Sequence, residues 1–129
     1  MTPADVGRAL VAAPWWEWRA PLVCIDADGM RWLVYEGSGG LICGQGIGHS
    51  GYVGGWATSA SIFLPGLRLD LDNDATAGVL VGMLPGSVTI ERDPTTCSVV
   101  AFTGAGTVAG RGATLAEAAG RALLAVRSS

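Results

Sequence analysis

Three helix starts, one near each end of the chain and one in the middle, set the frame for any fold it can adopt. Thr2-Pro3-Ala4-Asp5 offers a hydroxyl cap, a proline at the first helical position and an acid in the first turn. Asn73-Asp74 offers an amide cap followed by an acid at the positive end of the helix dipole. Thr114-Leu115-Ala116-Glu117 has the spacing of a capping box, in which hydroxyl and carboxylate each satisfy a backbone N–H of the first turn. Apolar residues follow each start at helical spacing: Val6, Leu10 and Ala13; Ala77, Leu80, Val81 and Leu84; Leu115, Ala119, Ala122, Leu123 and Val126. Pro14 ends the first helix, and Pro85-Gly86 stops the second. Gly78 and Gly82, four apart on the middle helix, predict that this helix packs closely on a sheet.

The stretches between the helices read as strands. Residues 22–25 and 31–35 flank Asp26-Ala27-Asp28-Gly29, whose Asp and Gly suit a tight hairpin. Residues 41–43 and 59–64 are further candidates. Ser87–Arg92 and Cys97–Thr103 form a second hairpin around Asp93-Pro94-Thr95-Thr96, and residues 107–110 extend it. The glycine-rich stretch 37–55 reads as strand ends and a mobile loop. The expected fold is a single α+β domain over residues 1–129: one antiparallel sheet with about three helices packed mainly on one face.

Composition narrows the function classes. Half of the 129 residues are apolar and 15% are charged, against about 25% in an average domain. Either the core is generous or part of the surface meets a partner. All eight basic residues are arginine, scattered from Arg8 to Arg127, and the net charge is −3. Direct DNA binding needs a basic stripe, so it is not expected. No apolar run reaches the roughly 18 residues of a membrane span, and the N-terminus lacks the pattern of a signal peptide. The expected setting is therefore the cytoplasm, with Cys24, Cys43 and Cys97 reduced and serving as small core residues.

Several motifs match function literally and fail on context. Gly46-Ile47-Gly48-His49-Ser50-Gly51 spells a dinucleotide fingerprint, but Tyr52-Val53-Gly54-Gly55 cannot start the helix that would hold the pyrophosphate. Gly104-Ala105-Gly106 follows a strand, but no ribose-binding acid can come after it in the remaining chain. Asp70, Asp72 and Asp74 alternate like a calcium loop, yet Ala75 and Val81 stand where the glycine and the bidentate glutamate belong. Cys24, Cys43, His49 and Cys97 contain no closely spaced pair from which a zinc site usually grows. No metal, cofactor or catalytic residue is assigned, and the chain is not expected to be an enzyme.

The middle segment, Leu69-Asp70-Leu71-Asp72-Asn73-Asp74-Ala75-Thr76-Ala77-Gly78-Val79-Leu80, resembles the "PDLxDPATxGxLL" segment of a family of small bacteriophage and prophage proteins of uncharacterised role. Trp16-Glu17-Trp18-Arg19 is similar to the aromatic W-R stretch that follows the first helix in that family. The run from Ala109 to Ala119 is similar to its "GEGxTxAEALxxAL" ending. Asp74 stands where the family has proline, and the glycine stretch 37–55 has no counterpart. The resemblance implies a phage or mobile-element origin and a cytoplasmic setting in the bacterial host. It brings no catalytic residues.

What the helix starts leave unexplained is the aromatic stretch and the glycine stretch. Tryptophan and arginine anchor interfaces, and aromatic rings stack on bases. Adjacent Trp15 and Trp16 cannot both point inward if that segment is extended. The candidate binding residues are Trp15, Trp16, Trp18, Arg19, His49, Tyr52 and Trp56. The expected role is non-enzymatic binding of a host or phage protein, with inhibition of a bacterial defence system (anti-CRISPR-like or other) as the natural task. One alternative is a small ligand such as a signalling nucleotide, held by glycine backbone N–H groups, an arginine and a stacked tryptophan. The other is a virion or assembly component, which would form a homo-oligomer.

Overall fold

Helix α1 (Pro3–Ala12) begins where the local chemistry places it. The Asp5 N–H donates to the Thr2 hydroxyl at 3.2 Å, and the Thr2 N–H donates to the Asp5 carboxylate at 3.0 Å. These bonds satisfy helix-start donors that would otherwise lack partners, a contribution of about 1 kcal/mol for a good cap. The computed structural model describes residues 1–17, 19, 22–25, 29, 31–36, 42–48, 51–58 and 68–127; side chains at 33–36, 42–48 and 51–58 fall outside that description. The expected turn at 26–28 and strand at 59–64 also lie outside the described residues.

The strands form two antiparallel sheets, not the single sheet expected from sequence. The larger sheet contains β1 (Val23–Ile25), β2 (Arg31–Glu36), β3 (Ile42–Gly48), β4 (Gly51–Thr58) and β5 (Arg68–Leu69), in the order β4-β3-β2-β1-β5. The smaller is a meander of β6 (Ser87–Arg92), β7 (Cys97–Thr103) and β8 (Gly106–Gly112). Helix α2 (Asp74–Met83) connects the two, and helix α3 (Leu115–Arg127) follows β8.

Helix α3 explains the division. Ala116, Glu117, Ala118, Ala119, Gly120, Ala122 and Leu123 are all buried, more than one face of a helix can supply. Successive residues turn by about 100°, so Ala118 and Ala122 lie roughly opposite Gly120. On the first side the backbone of Gly110 in β8 runs against Ala118 and Ala122. On the other, Gly120 faces Leu10 and Val6 of α1 and Leu80 of α2. A helix made of alanine and glycine can be approached closely from both sides. It therefore has β7 and β8 on one side and the other two helices on the other.

The core joins all of this. Val6, Leu10, Leu22, Leu69, Leu80, Val99 and Leu123 are almost fully buried, each worth roughly 1.5–3 kcal/mol relative to exposure. Two polar devices tie α2 to the larger sheet. Asn73 caps α2 by accepting the Ala75 N–H at 2.9 Å. The buried Thr76 hydroxyl accepts the Val23 N–H at 3.2 Å and donates to the Val23 carbonyl at 3.4 Å, continuing β1's bonding beyond the short strand β5. At α3 the capping box is displaced by one residue: Glu117 N–H donates to the Thr114 hydroxyl at 3.2 Å, while the Glu117 carboxylate accepts from Ala113 N–H. Thr114 itself donates to the Leu71 carbonyl, which joins the start of α3 to the turn before α2.

Gly78 and Gly82 do not serve close packing. Both are exposed, and a Cβ at either would meet nothing within 4 Å. The buried stripe of α2 is Thr76, Ala77 and Leu80.

Candidate functional site

The aromatic stretch follows a turn. Pro14 removes an N–H from the end of α1, and the Trp16 N–H donates to the Ala13 carbonyl at 3.0 Å, closing a turn over residues 13–16. In a turn the strict in-out alternation of an extended segment does not apply. Trp15 and Trp16 are accordingly both half-buried, and both pack against the edge of the core. Their ring centroids lie 6.4 Å apart at 60°, within the range of a favourable tilted aromatic pair.

The structure adds a residue to this cluster that the sequence did not single out. The Arg127 guanidinium, in the last turn of α3, sits 5.3 Å from the centroid of the Trp15 ring. Such a contact is worth about 0.5–1 kcal/mol at an exposed site. The cation also lies at the negative end of the α3 dipole. Nothing local could have marked the pairing, because 112 residues separate the partners. Arg19 is exposed and pairs with Glu17 at 3.0 Å; an exposed pair of this kind adds little stability. It leaves the guanidinium available at the surface.

Trp18 and His49 lie outside the described residues. Tyr52 and Trp56 are on β4, opposite Ile47 and Gln45 of β3. The expected glycine loop is, over its described part, the β3–β4 hairpin. Gly48 pairs with Gly51, so no helix follows the dinucleotide-like motif. Between the Gln45–Trp56 and Ile47–Tyr52 pairs, Gly46 faces three residues, Val53, Gly54 and Gly55, a bulge that glycine makes accessible. The two expected groups are carried by elements at opposite edges of the larger sheet: α1 packs on β5, and β4 is the far edge.

The other motifs are used structurally. Gly104 and Ala105 form the turn between β7 and β8. Asp70 is buried; its carboxylate pairs with Arg31 at 2.9 Å and accepts the Asp72 N–H at 3.2 Å. The adjoining cavity, lined in part by Pro3, Arg68, Asp70 and Asp72, measures about 190 Å³, below the roughly 300 Å³ at which small-molecule pockets begin. A second depression of about 340 Å³, lined by Pro85, Thr103, Ala105, Val108 and Val126 among others, has no charged lining residue. Cys24 is on β1 in the larger sheet and Cys97 on β7 in the smaller. No group of three or more potential metal ligands meets among the described residues.

Two exposed carboxylates have clear titration shifts. Backbone N–H donors hold both below the ordinary carboxyl value: Thr2 for Asp5, and Thr95 and Thr96 for Asp93. Both act as caps. No helix among the described residues is long and apolar enough to cross a membrane. Comparison with protein-family models, curated proteins and solved structures returned no match.

Proposed function

We propose that the protein is a non-enzymatic binding protein of phage or prophage origin that acts on a host protein, with inhibition of a bacterial defence system as its task. The observation that carries this reading is the surface where Trp15, Trp16 and Arg127 converge. Tryptophan and arginine are the residues most enriched among the anchors of protein interfaces. Here the rings are held by packing on the core, and the arginine is preset over one of them. A partner that docks on such a patch loses little side-chain freedom in doing so. The phage origin rests on the resemblance of residues 69–80 to the small phage-protein segment.

The test is capture from a bacterial host lysate with the wild-type chain and with Arg127→Ala and Arg19→Ala, followed by titration of the purified pair. Both arginines are at the surface, so these variants leave the core intact. A discrete host protein that binds wild type, and binds Arg127→Ala at least tenfold more weakly, supports the proposal. Unchanged binding by both variants removes this patch from the interface.

A further inference from the structure

The outer strand of the smaller sheet carries an inference independent of the aromatic patch. Among the described residues β6 pairs only with β7. Natural proteins protect such edges with charged side chains, lysine above all, with proline, a bulge or a covering element. Strand β6 (Ser-Val-Thr-Ile-Glu-Arg) contains neither lysine nor proline, and its charges are confined to its last two residues, Glu91 and Arg92. Its register runs unbroken from Ser87–Phe102 to Arg92–Cys97, so there is no bulge. Helix α3 lies over β8 and β7. Ile90 is on that same face, opposite the fully buried Val99, yet it is 43% exposed.

The turn fixes which backbone groups face outward. The Asp93 N–H donates to the Thr96 carbonyl at 3.0 Å, making 93–96 a bonded pair. Bonded and non-bonded pairs alternate along an antiparallel ladder. Ser87, Thr89 and Glu91 therefore direct their N–H and C=O groups to β7, and Val88, Ile90 and Arg92 direct theirs to the open edge.

We propose that β6 is a self-pairing edge, through which two copies of the chain join by a two-fold axis at Ile90 into one continuous antiparallel sheet. This register sets Ile90 opposite the partner's Ile90, and Val88 and Arg92 opposite the partner's Arg92 and Val88. Every outward N–H and C=O then finds its complement. Thr89 stands opposite the partner's Glu91, so no like charges face each other, an arrangement that would be destabilising. The neighbouring in-phase registers are worse. Centring on Glu91 opposes two carboxylates and sets Val88 against Pro94, which has no N–H to donate. Centring on Thr89 sets Arg92 against Gly86, whose φ of 72° is not extended, and so loses the outer pairs. On the helix-bearing face the two isoleucines cover one another between the two α3 helices.

One strand pair buries less than the roughly 1,200–2,000 Å² of a stable interface, so the dimer is weak and concentration-dependent. Sedimentation velocity of the wild-type chain between about 10 μM and 1 mM, a span that covers weak association, should show monomer giving way to dimer. Amide hydrogen exchange over the same span should slow at Val88, Ile90 and Arg92 and stay unchanged at Thr89 and Glu91. Ile90→Pro removes one outward N–H while sparing the ladder to β7, and should abolish the dimer. Ile90→Lys should do the same if the proline variant fails to fold. Under mild oxidation Ile90→Cys should cross-link to a dimer above the wild-type background, and Thr89→Cys should not. A wild-type chain that stays monomeric at the upper concentration overturns the proposal. So does a dimer indifferent to Ile90→Lys, or protection that appears on β8 instead.

Discussion

Along β8 the backbone of Gly110 runs so close to α3 that a Cβ there would collide with the Ala118 carbonyl and lie 2.5 Å from the Ala122 nitrogen. Along α2, Gly78 and Gly82 sit at the regular spacing usually read as a packing groove, and both face open space. Both regions carry glycines four residues apart, and they put them to opposite uses. What distinguishes them is the neighbour: Ala118 and Ala122 are small enough to let a strand approach the helix backbone. At Gly110 the glycine is a close-packing residue because its counterparts on α3 are also small, and those counterparts are set by the fold.

Substitutions can break this comparison or sharpen it. The largest effect is expected for Gly110→Ala, which forces backbone on both sides to move. Overpacking of this kind costs about 3 kcal/mol or more, read as a loss of the native urea transition. A loss below about 1 kcal/mol would show that α3 and β8 slide apart easily. Next is Gly7→Ala. Its Cβ would lie 2.9 Å from the Leu69 carbonyl and 3.0 Å from the Leu69 nitrogen. Part of that strain is offset by alanine's better helix propensity, leaving about 1–2 kcal/mol of destabilisation. Gly78→Ala should go the other way, raising stability by up to about 1 kcal/mol, because the space is open and the helix gains propensity. Thermal melts of the two helix variants side by side would sharpen the contrast, and a destabilising Gly78→Ala would contradict it.

The smallest effect concerns the turn that follows the edge strand β6. Asp93 is held below its ordinary value of 3.8 by the Thr95 and Thr96 N–H groups. A lowered folded-state value means that its contribution is present above 3.8 and is lost as the pH falls through the lower folded value. Asp93→Asn keeps an oxygen acceptor and removes the charge. It should cost slightly at neutral pH, and the difference from wild type should shrink at an acid pH well below 3.8, as the Asp93 carboxylate takes up its proton. Paired urea titrations at the two pH values check this; an equal cost at both would mean that geometry, and not charge, stabilises the turn.

The chain's local chemistry was legible. The caps at Thr2, Asn73 and Thr114 all form, since each needs only residues within about one turn. The β6–β7 hairpin follows from Asp93 and the alternating residues beside it, and its ends match the expected residues. The candidate site was less legible. Trp15 and Trp16 are adjacent in the sequence, but their orientation depends on the turn after Pro14, and Arg127 arrives from the other end of the chain. The stretch 37–55 gave no strand period because glycine has no side chain with which to mark an inner face.

By itself, then, the sequence determined where the helices begin, which strands form the second hairpin, and that the composition favours burial over charge. The tertiary structure decided that the strands divide into two sheets, that α3 packs on both sides, and which glycines are indispensable. The reason is range. A cap or a turn is settled by partners three or four residues away. Sheet membership and close approach are settled by surfaces brought together from distant parts of the chain, as when Gly110 meets Ala118 while Gly120, two residues further on, meets Val6 and Leu10.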